Sequence, residues 1–204
     1  LSPELFQLIG HARYRPDDQG RAVLWYRRAE LFEPRDPELR QNLRHLHEQQ
    51  RFLRFEASSP LVAWSLMLGE NEWLLLASGG VLLLFLPLAW RQWSRCCAGW
   101  CAAVSTAGGI VCAIAIAFLW LRPSADERLE NLVVVTQKDT SAYTAATQTS
   151  GTVIDLPPGS EARVLEERGA WSYCELPNPR EPLRGWVETA VLQPLWPFDK
   201  RWVP

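Results

Sequence analysis

The stretch NEWLLLASGGVLLLFLPLAW, residues Asn71–Trp90, holds a single charge, Glu72, in twenty positions. As a helix it rises roughly 30 Å, at about 1.5 Å per residue, which matches the hydrocarbon core of a bilayer. Trp73 and Trp90 bracket it, where amphipathic indole rings settle at the two membrane boundaries. A second run, AGWCAAVSTAGGIVCAIAIAFLWL at Ala98–Leu121, has no charge at all. Soluble core helices rarely run so far without a polar face. Both segments therefore read as transmembrane helices, 71–90 and 98–121. Pro87 falls near the end of the first, where a kink is tolerated if neighbouring groups satisfy the freed carbonyl.

Residues 91–97, RQWSRCC, form a short basic turn with no room for a domain. The spans make a hairpin, so both flanking segments lie on one side of the membrane. Arg91 and Arg95, without an acidic neighbour, point to a cytoplasmic turn, against Arg54, Arg122 and Arg128 beside the other ends. Ser105, Gly109, Ala113 and Ala117 stand four apart on the second span, a row of small residues expected to pack on Ser78, Gly79 and Gly80 of the first. Ahead of the hairpin, PLVAWSLMLGE (60–70) is apolar but too short to cross, and residues 57–70 read as an interfacial linker.

The opening 1–56 have a different texture. Phe6, Ile9 and Gly10, then Ala22, Tyr26, Ala29 and Pro34, follow the tetratricopeptide spacing of aromatic, Leu-Gly, Ala, aromatic and Pro. Small residues let two helices touch, and aromatics fill the space beside them. Arg13 stands where an aromatic is usual, with Tyr14 one place later. RPDDQG (15–20) supplies a turn. Asp36-Pro37 starts a third helix with a capping carboxylate and a first-turn proline, and Leu39, Leu43, Leu46, Gln50 and Leu53 share one face of it. One such repeat cannot bury its own apolar face. The missing surface is expected from repeats upstream or from a partner.

Past Arg122-Pro123 the period changes to alternation. ENLVVVTQ, SAYTAATQ, GTVIDL, EARVLEE, AWSYCEL and RGWVE read as strands, parted by PPG, RG and PNPREP turns. Five to seven short strands in 126–197 predict a small barrel. Gly169-x-Trp171 and Gly185-Trp186 before Val187 resemble the last two strands of bacterial SH3-like domains. Trp171 and Trp186 are expected to fill the barrel core, Trp186 above all, in preference to a ligand groove. The tail 198–204 follows Trp196 with Phe198 and Trp202, and is expected to fold back on the barrel or to dock elsewhere.

The fold class is thus a multidomain membrane protein: helical repeat-like segment, two-helix hairpin, small all-β barrel. The net charge of −2 and the barrel's eleven acidic against six basic residues argue against nucleic acid. No Gly-rich phosphate loop precedes a Lys. His45 and His47 are two apart on a helix and point apart from each other, and His11 is distant, so no metal ligand set is assigned. Cys96, Cys97, Cys101 and Cys112 gather around the second span, where Cys serves as a small hydrophobe and, as a rival reading, as a redox or metal site. Cys174 stands alone in the barrel and is expected between strands. No catalytic residue, cofactor or disulfide is assigned.

Repeat-like helices, a membrane hairpin and an SH3-like segment, in that order, are similar to the BatE family of bacterial aerotolerance proteins. The residues that carry the resemblance are AVLWYRRAELFEPRDPELRQNL, the stretch before GENEWLLL, and PPGSEARVLEERGAW with its closing GWVE. The departures from the family pattern are the upstream repeats expected to be missing ahead of Phe6, the Cys-rich second span and the aromatic tail. The resemblance implies a non-catalytic component of the bacterial inner membrane, with both soluble parts in the periplasm. It also implies association with von Willebrand factor A-type membrane proteins and a MoxR-type AAA+ ATPase in an oxidative-stress setting. An envelope sensor whose barrel binds cell-wall peptide or glycan is the rival expectation.

Overall fold

The computed structural model describes residues 2–55, 59–93, 98–178 and 181–197. The chain divides into two compact units, and the division does not follow sequence order: residues 1–56 join 125–204 in one, and 57–124 form the other. The front helices and the rear strands therefore belong to one body.

In that first unit α1 (Pro3–Arg13) and α2 (Gln19–Phe32) form an antiparallel helical hairpin, followed by α3 (Pro37–Gln50). Ser2 Oγ accepts the Leu5 N–H, and Asp36 Oδ1 accepts those of Glu38 and Leu39, so α1 and α3 open on side-chain caps with proline in the first turn. A Cβ at Gly10 would lie 2.7 Å from the Tyr26 ring, so only glycine leaves room for that aromatic. Phe6, Ala22, Tyr26 and Ala29 are buried, Ile9 is half-buried, and Pro34 is exposed at the turn. α3 stops at Gln50 because Arg51 turns left-handed (φ 52°). Leu39, Leu43 and Leu46 face the core as expected, but Leu53 lies beyond the helix end, its N–H donating to Ser160 Oγ at 3.1 Å.

After α7 (Ala125–Leu129), seven strands run in order: β1 (Leu132–Val135), β2 (Thr140–Tyr143), β3 (Thr152–Leu156), β4 (Glu161–Arg168), β5 (Trp171–Leu176), β6 (Leu183–Glu188) and β7 (Leu192–Pro194). They form one antiparallel sheet, β3-β2-β6-β5-β4-β1-β7, with β3 and β7 as its edges. Where a barrel was expected the sheet does not close, since β3 and β7 do not pair among the described residues. Among the described residues the three-residue β7 pairs only with β1, and Arg28 of α2 takes the carbonyls at and just past its end, donating to Pro194 at 3.0 Å and Leu195 at 2.9 Å. The strand expected over SAYTAATQ also ends early, at Tyr143, and the residues after it make turns.

The helices find their missing surface on this sheet. Phe6, Ala22, Leu24, Leu39 and Leu46 share a core with Leu129, Leu132, Val134, Leu195 and Trp196. Trp196 packs on Phe6 and Phe32 at centroid distances of 6.2 and 5.6 Å. The opposite face of β1, Val133 and Val135, joins a second core with Ala142, Leu156, Cys174, Leu176 and Val187. β1 is thus buried on both sides, which is why it reads LVVV without alternation. α2 lies so close to the strands that a Cβ at Gly20 would be 2.6 Å from the Thr136 carbonyl oxygen. An ion network, buried at Arg27 and Glu161 and open to solvent at Arg54, closes the join: Glu161 of β4 and Glu30 of α2 both accept from Arg27, and Glu30 also from Arg54. The tail 198–204 lies outside the described residues.

The second unit holds α4 (Pro60–Ser65), α5 (Glu70–Trp93) and α6 (Ala98–Leu121). Glu70–Trp90 and Gly99–Leu121 are long and apolar enough to cross a membrane, and only 11% and 17% of their apolar windows are buried. A core helix of a soluble protein would be mostly covered. Trp100 and Trp120 are 74% and 91% exposed and twenty residues apart, about 30 Å along the axis. α5 runs unbroken through Pro87. The helices cross antiparallel at two glycines: a Cβ at Gly80 would meet the Gly108 carbonyl oxygen at 2.9 Å, and one at Gly108 the Gly80 carbonyl oxygen at 2.8 Å. Trp73 stacks on Phe118 at 4.8 Å and donates its ring N–H to the Ser65 carbonyl. The expected small-residue row is corrected. Ser105 is buried and Gly109 touches Leu84, but Ala113 and Ala117 are exposed. The interface follows Cys101, Ser105, Gly108, Cys112 and Ala115, because steps of four and three alternately hold one helix face while strict steps of four drift around it. On α5, Gly80 is buried, whereas Ser78 is exposed and Gly79 has nothing near it.

Candidate functional site

Alternation along β5 places the functional side chains. Ser172, Cys174 and Leu176 are buried toward the sheet's inner core, so Trp171, Tyr173 and Glu175 point to the other face. On β6, Gly185 and Val187 face inward and Arg184, Trp186 and Glu188 outward. Gly185 is small because β2 passes close on the inner side, where a Cβ would lie 3.0 Å from that of Ala142. Ala142 inward leaves Tyr143 outward, directly opposite Trp186. Gly169 (φ +60°) begins the two-residue turn between Arg168 and Trp171, a place where the hairpin requires positive φ.

The result is a continuous half-exposed aromatic face on β2, β6 and β5. Tyr143 meets Trp171 edge to face, centroids 5.7 Å apart at 88°, and Tyr173 meets Trp186 at 5.1 Å and 40°. The expectation that Trp171 and Trp186 fill the core is therefore corrected. Neither belongs to either core cluster, and the aliphatic side chains of Leu156, Leu176 and Val187 already occupy the interior. Arg168 of β4 lies over the Trp186 ring, Cζ 5.5 Å from its centroid, and donates to Glu166 at 2.8 Å. Arg184 stands 3.7 Å from Glu175, and the Gln148 amide donates to Glu188. Tyr143, Tyr173, Arg168 and Glu188 were missed in the sequence, although the parity of β5 and β6 carried the signal for Tyr173 and Glu188.

The other candidate groups are not brought together. His11 bonds to the Gln7 carbonyl and Asn42, His45 to Gln49, and His47 packs on Phe52. Cys101 and Cys112 face α5 but stand eleven residues apart, about 16 Å along the helix. Cys96 and Cys97 lie outside the described residues. Cys174 is fully buried, and burial, with a smaller contribution from Glu167, pushes its thiol up to about 12, so it stays a neutral thiol. Among the described residues no three His, Cys, Asp or Glu side chains gather as a metal site.

The chain matches no family model, no curated protein and no solved structure. The likeness to the BatE family therefore rests on the quoted residues and the order of parts.

Proposed function

We propose that the chain is a non-catalytic adaptor, anchored in the bacterial inner membrane by α5 and α6, that holds a partner protein against the aromatic face of its sheet. The observation that carries this reading is the Tyr143–Trp171 and Tyr173–Trp186 array, four half-exposed rings on one sheet face. Rings of this kind give large contact area at low entropic cost and dominate binding surfaces. The helices are less suited to the task, because their packing surface is already taken by the chain's own strands. Partners of the von Willebrand factor A and MoxR ATPase types, and a periplasmic setting for the folded unit, are the fuller form of the proposal.

The test is affinity purification in mild detergent from native membranes, comparing the native chain with Trp186→Ala. Recovery of a specific membrane protein that is lost in the variant supports the adaptor. Recovery that ignores the substitution, or saturable binding of cell-wall fragments in place of protein, overturns it, the latter in favour of a wall sensor.

A further inference from the structure

Among the four rings, one corner lacks the companion that the other has. Trp186 carries the guanidinium of Arg168, and that cation is neutralised by Glu166. Tyr143 and Trp171, set at right angles, carry no cation among the described residues. Beside them, Glu188 stands directly opposite Trp171 in the register of β5 and β6. Facing side chains on paired strands sit roughly 5 Å apart at Cβ. Among the described residues the side chain held to Glu188 is the Gln148 amide, which is neutral and leaves the carboxylate's charge uncancelled. On β4 and β5 the outward carboxylates Glu166 and Glu175 each have an arginine, and Asp155 of β3 accepts from the Ser141 hydroxyl opposite it.

We infer that the corner formed by Tyr143, Trp171 and Glu188 receives an arginine or lysine side chain from a basic segment of the partner protein. This rests on the adaptor reading and names the partner's chemistry. Ring faces attract a cation through their quadrupole, and the attraction grows as the site loses water. The Arg168–Trp186 contact shows that this sheet already holds a guanidinium in that manner. Residues 126–197 carry eleven acidic against six basic side chains, a field that draws a cationic segment in and turns an acidic one away. A neutral sugar fits less well. The polar groups around the rings are engaged with one another, and rings set at 88° and 40° offer no flat platform.

The probe is a short fluorescein-labelled peptide of alternating Gly and Arg, titrated by anisotropy into the full chain in nonionic detergent at low salt. Counterparts with citrulline or Glu in place of Arg serve as comparisons. The Arg peptide binds saturably. Trp171→Leu and the conservative Glu188→Gln each weaken it about tenfold, and the citrulline and Glu peptides fail to bind. Absence of saturable Arg-peptide binding, equal binding of the citrulline peptide, or unchanged affinity in both variants overturns the inference. Partner capture separates the two levels. Capture that is lost in Trp186→Ala but kept in Glu188→Gln leaves the adaptor standing and removes the cation corner. Capture that neither substitution alters removes the adaptor itself.

Discussion

Replacing Glu161 by Ala tests whether the front helices and the rear sheet are one cooperative body. Glu161 is 2% exposed; its carboxylate accepts from Arg27 Nε at 2.9 Å, from the same guanidinium's Nη2, and from the Phe55 N–H at 3.0 Å. Removing it leaves a backbone donor unpaired and a guanidinium, 11% exposed, with Glu30 as its remaining partner. Breaking a buried pair from one side costs about 3–5 kcal/mol, and the surviving Glu30 contact places this case near the lower end. At about 1.4 kcal/mol per tenfold, exchange through global opening should speed by about two decades. Hydrogen exchange by mass spectrometry on the full chain in detergent reads this directly. Peptides from α2 and from β1 and β4 should accelerate together, because Val23, Leu24, Leu132 and Val134 share or adjoin one core. Loss of protection in β4 while α2 keeps its own would refute the single body. Arg27→Met combined with Glu161→Leu should recover part of the loss, since Glu30 keeps Arg54 and no buried ion is left unpaired, while the Phe55 N–H stays without its acceptor.

Three further outcomes are expected. Gly108→Val should cost about 1–3 kcal/mol and spread spin labels placed at Leu82 and Ile110, whereas Gly79→Val, with nothing within 4 Å, should leave the spacing unchanged. In alkali, the folded state keeps the Cys174 thiol protonated up to about 12 while the unfolded chain ionises from 9. Stability should therefore fall as pH rises through that window, and Cys174→Ala should move the onset of unfolding upward in a circular-dichroism titration. In acid, burial alone would raise Glu30, but Arg27 and Arg54 outweigh it and hold the carboxyl below 4.5. Its contribution is present above that pH and lost as pH falls through the folded value, so Glu30→Gln should flatten the acid limb of the same titration.

Much of the architecture was legible because local chemistry decided it. Long apolar runs, the first bracketed by Trp73 and Trp90, marked α5 and α6, Asp36-Pro37 marked the start of α3, and Gly10 made way for Tyr26. What stayed hidden depends on partners far along the chain. The Arg27–Glu161 pair spans 134 residues, and Arg28 reaches carbonyls 166 and 167 residues away. No pattern in either segment alone announces that a helix expected to need upstream repeats would be roofed by its own C-terminal sheet. A hint was present in α2 nonetheless. Val23, Leu24 and Arg28 are buried on top of the Ala22–Tyr26–Ala29 face, so the helix is covered on more sides than one neighbour explains.

The orientation of the tryptophans is the more instructive error, because the sequence contained the means to avoid it. Side chains on a strand alternate, so residues an odd number apart face opposite ways. Cys174 reads as a buried residue between strands, and it is three positions from Trp171 and one from Tyr173. If the thiol is inside, both rings are outside. The same holds for Gly185 and Val187, which flank Trp186: a glycine inward lets β2 approach, and the Trp between them must face away. Hydrophobic bulk pulled the reading toward the core, yet parity outranks bulk, since a one-residue slip would bury Glu175, Arg184 and Glu188 with the rings. A strand that places Trp, Tyr and charged residues on one side and Ser, Cys and Leu on the other has its small and aliphatic side chains for the core. The rings are then left on the solvent face, where their contact area is available to another molecule.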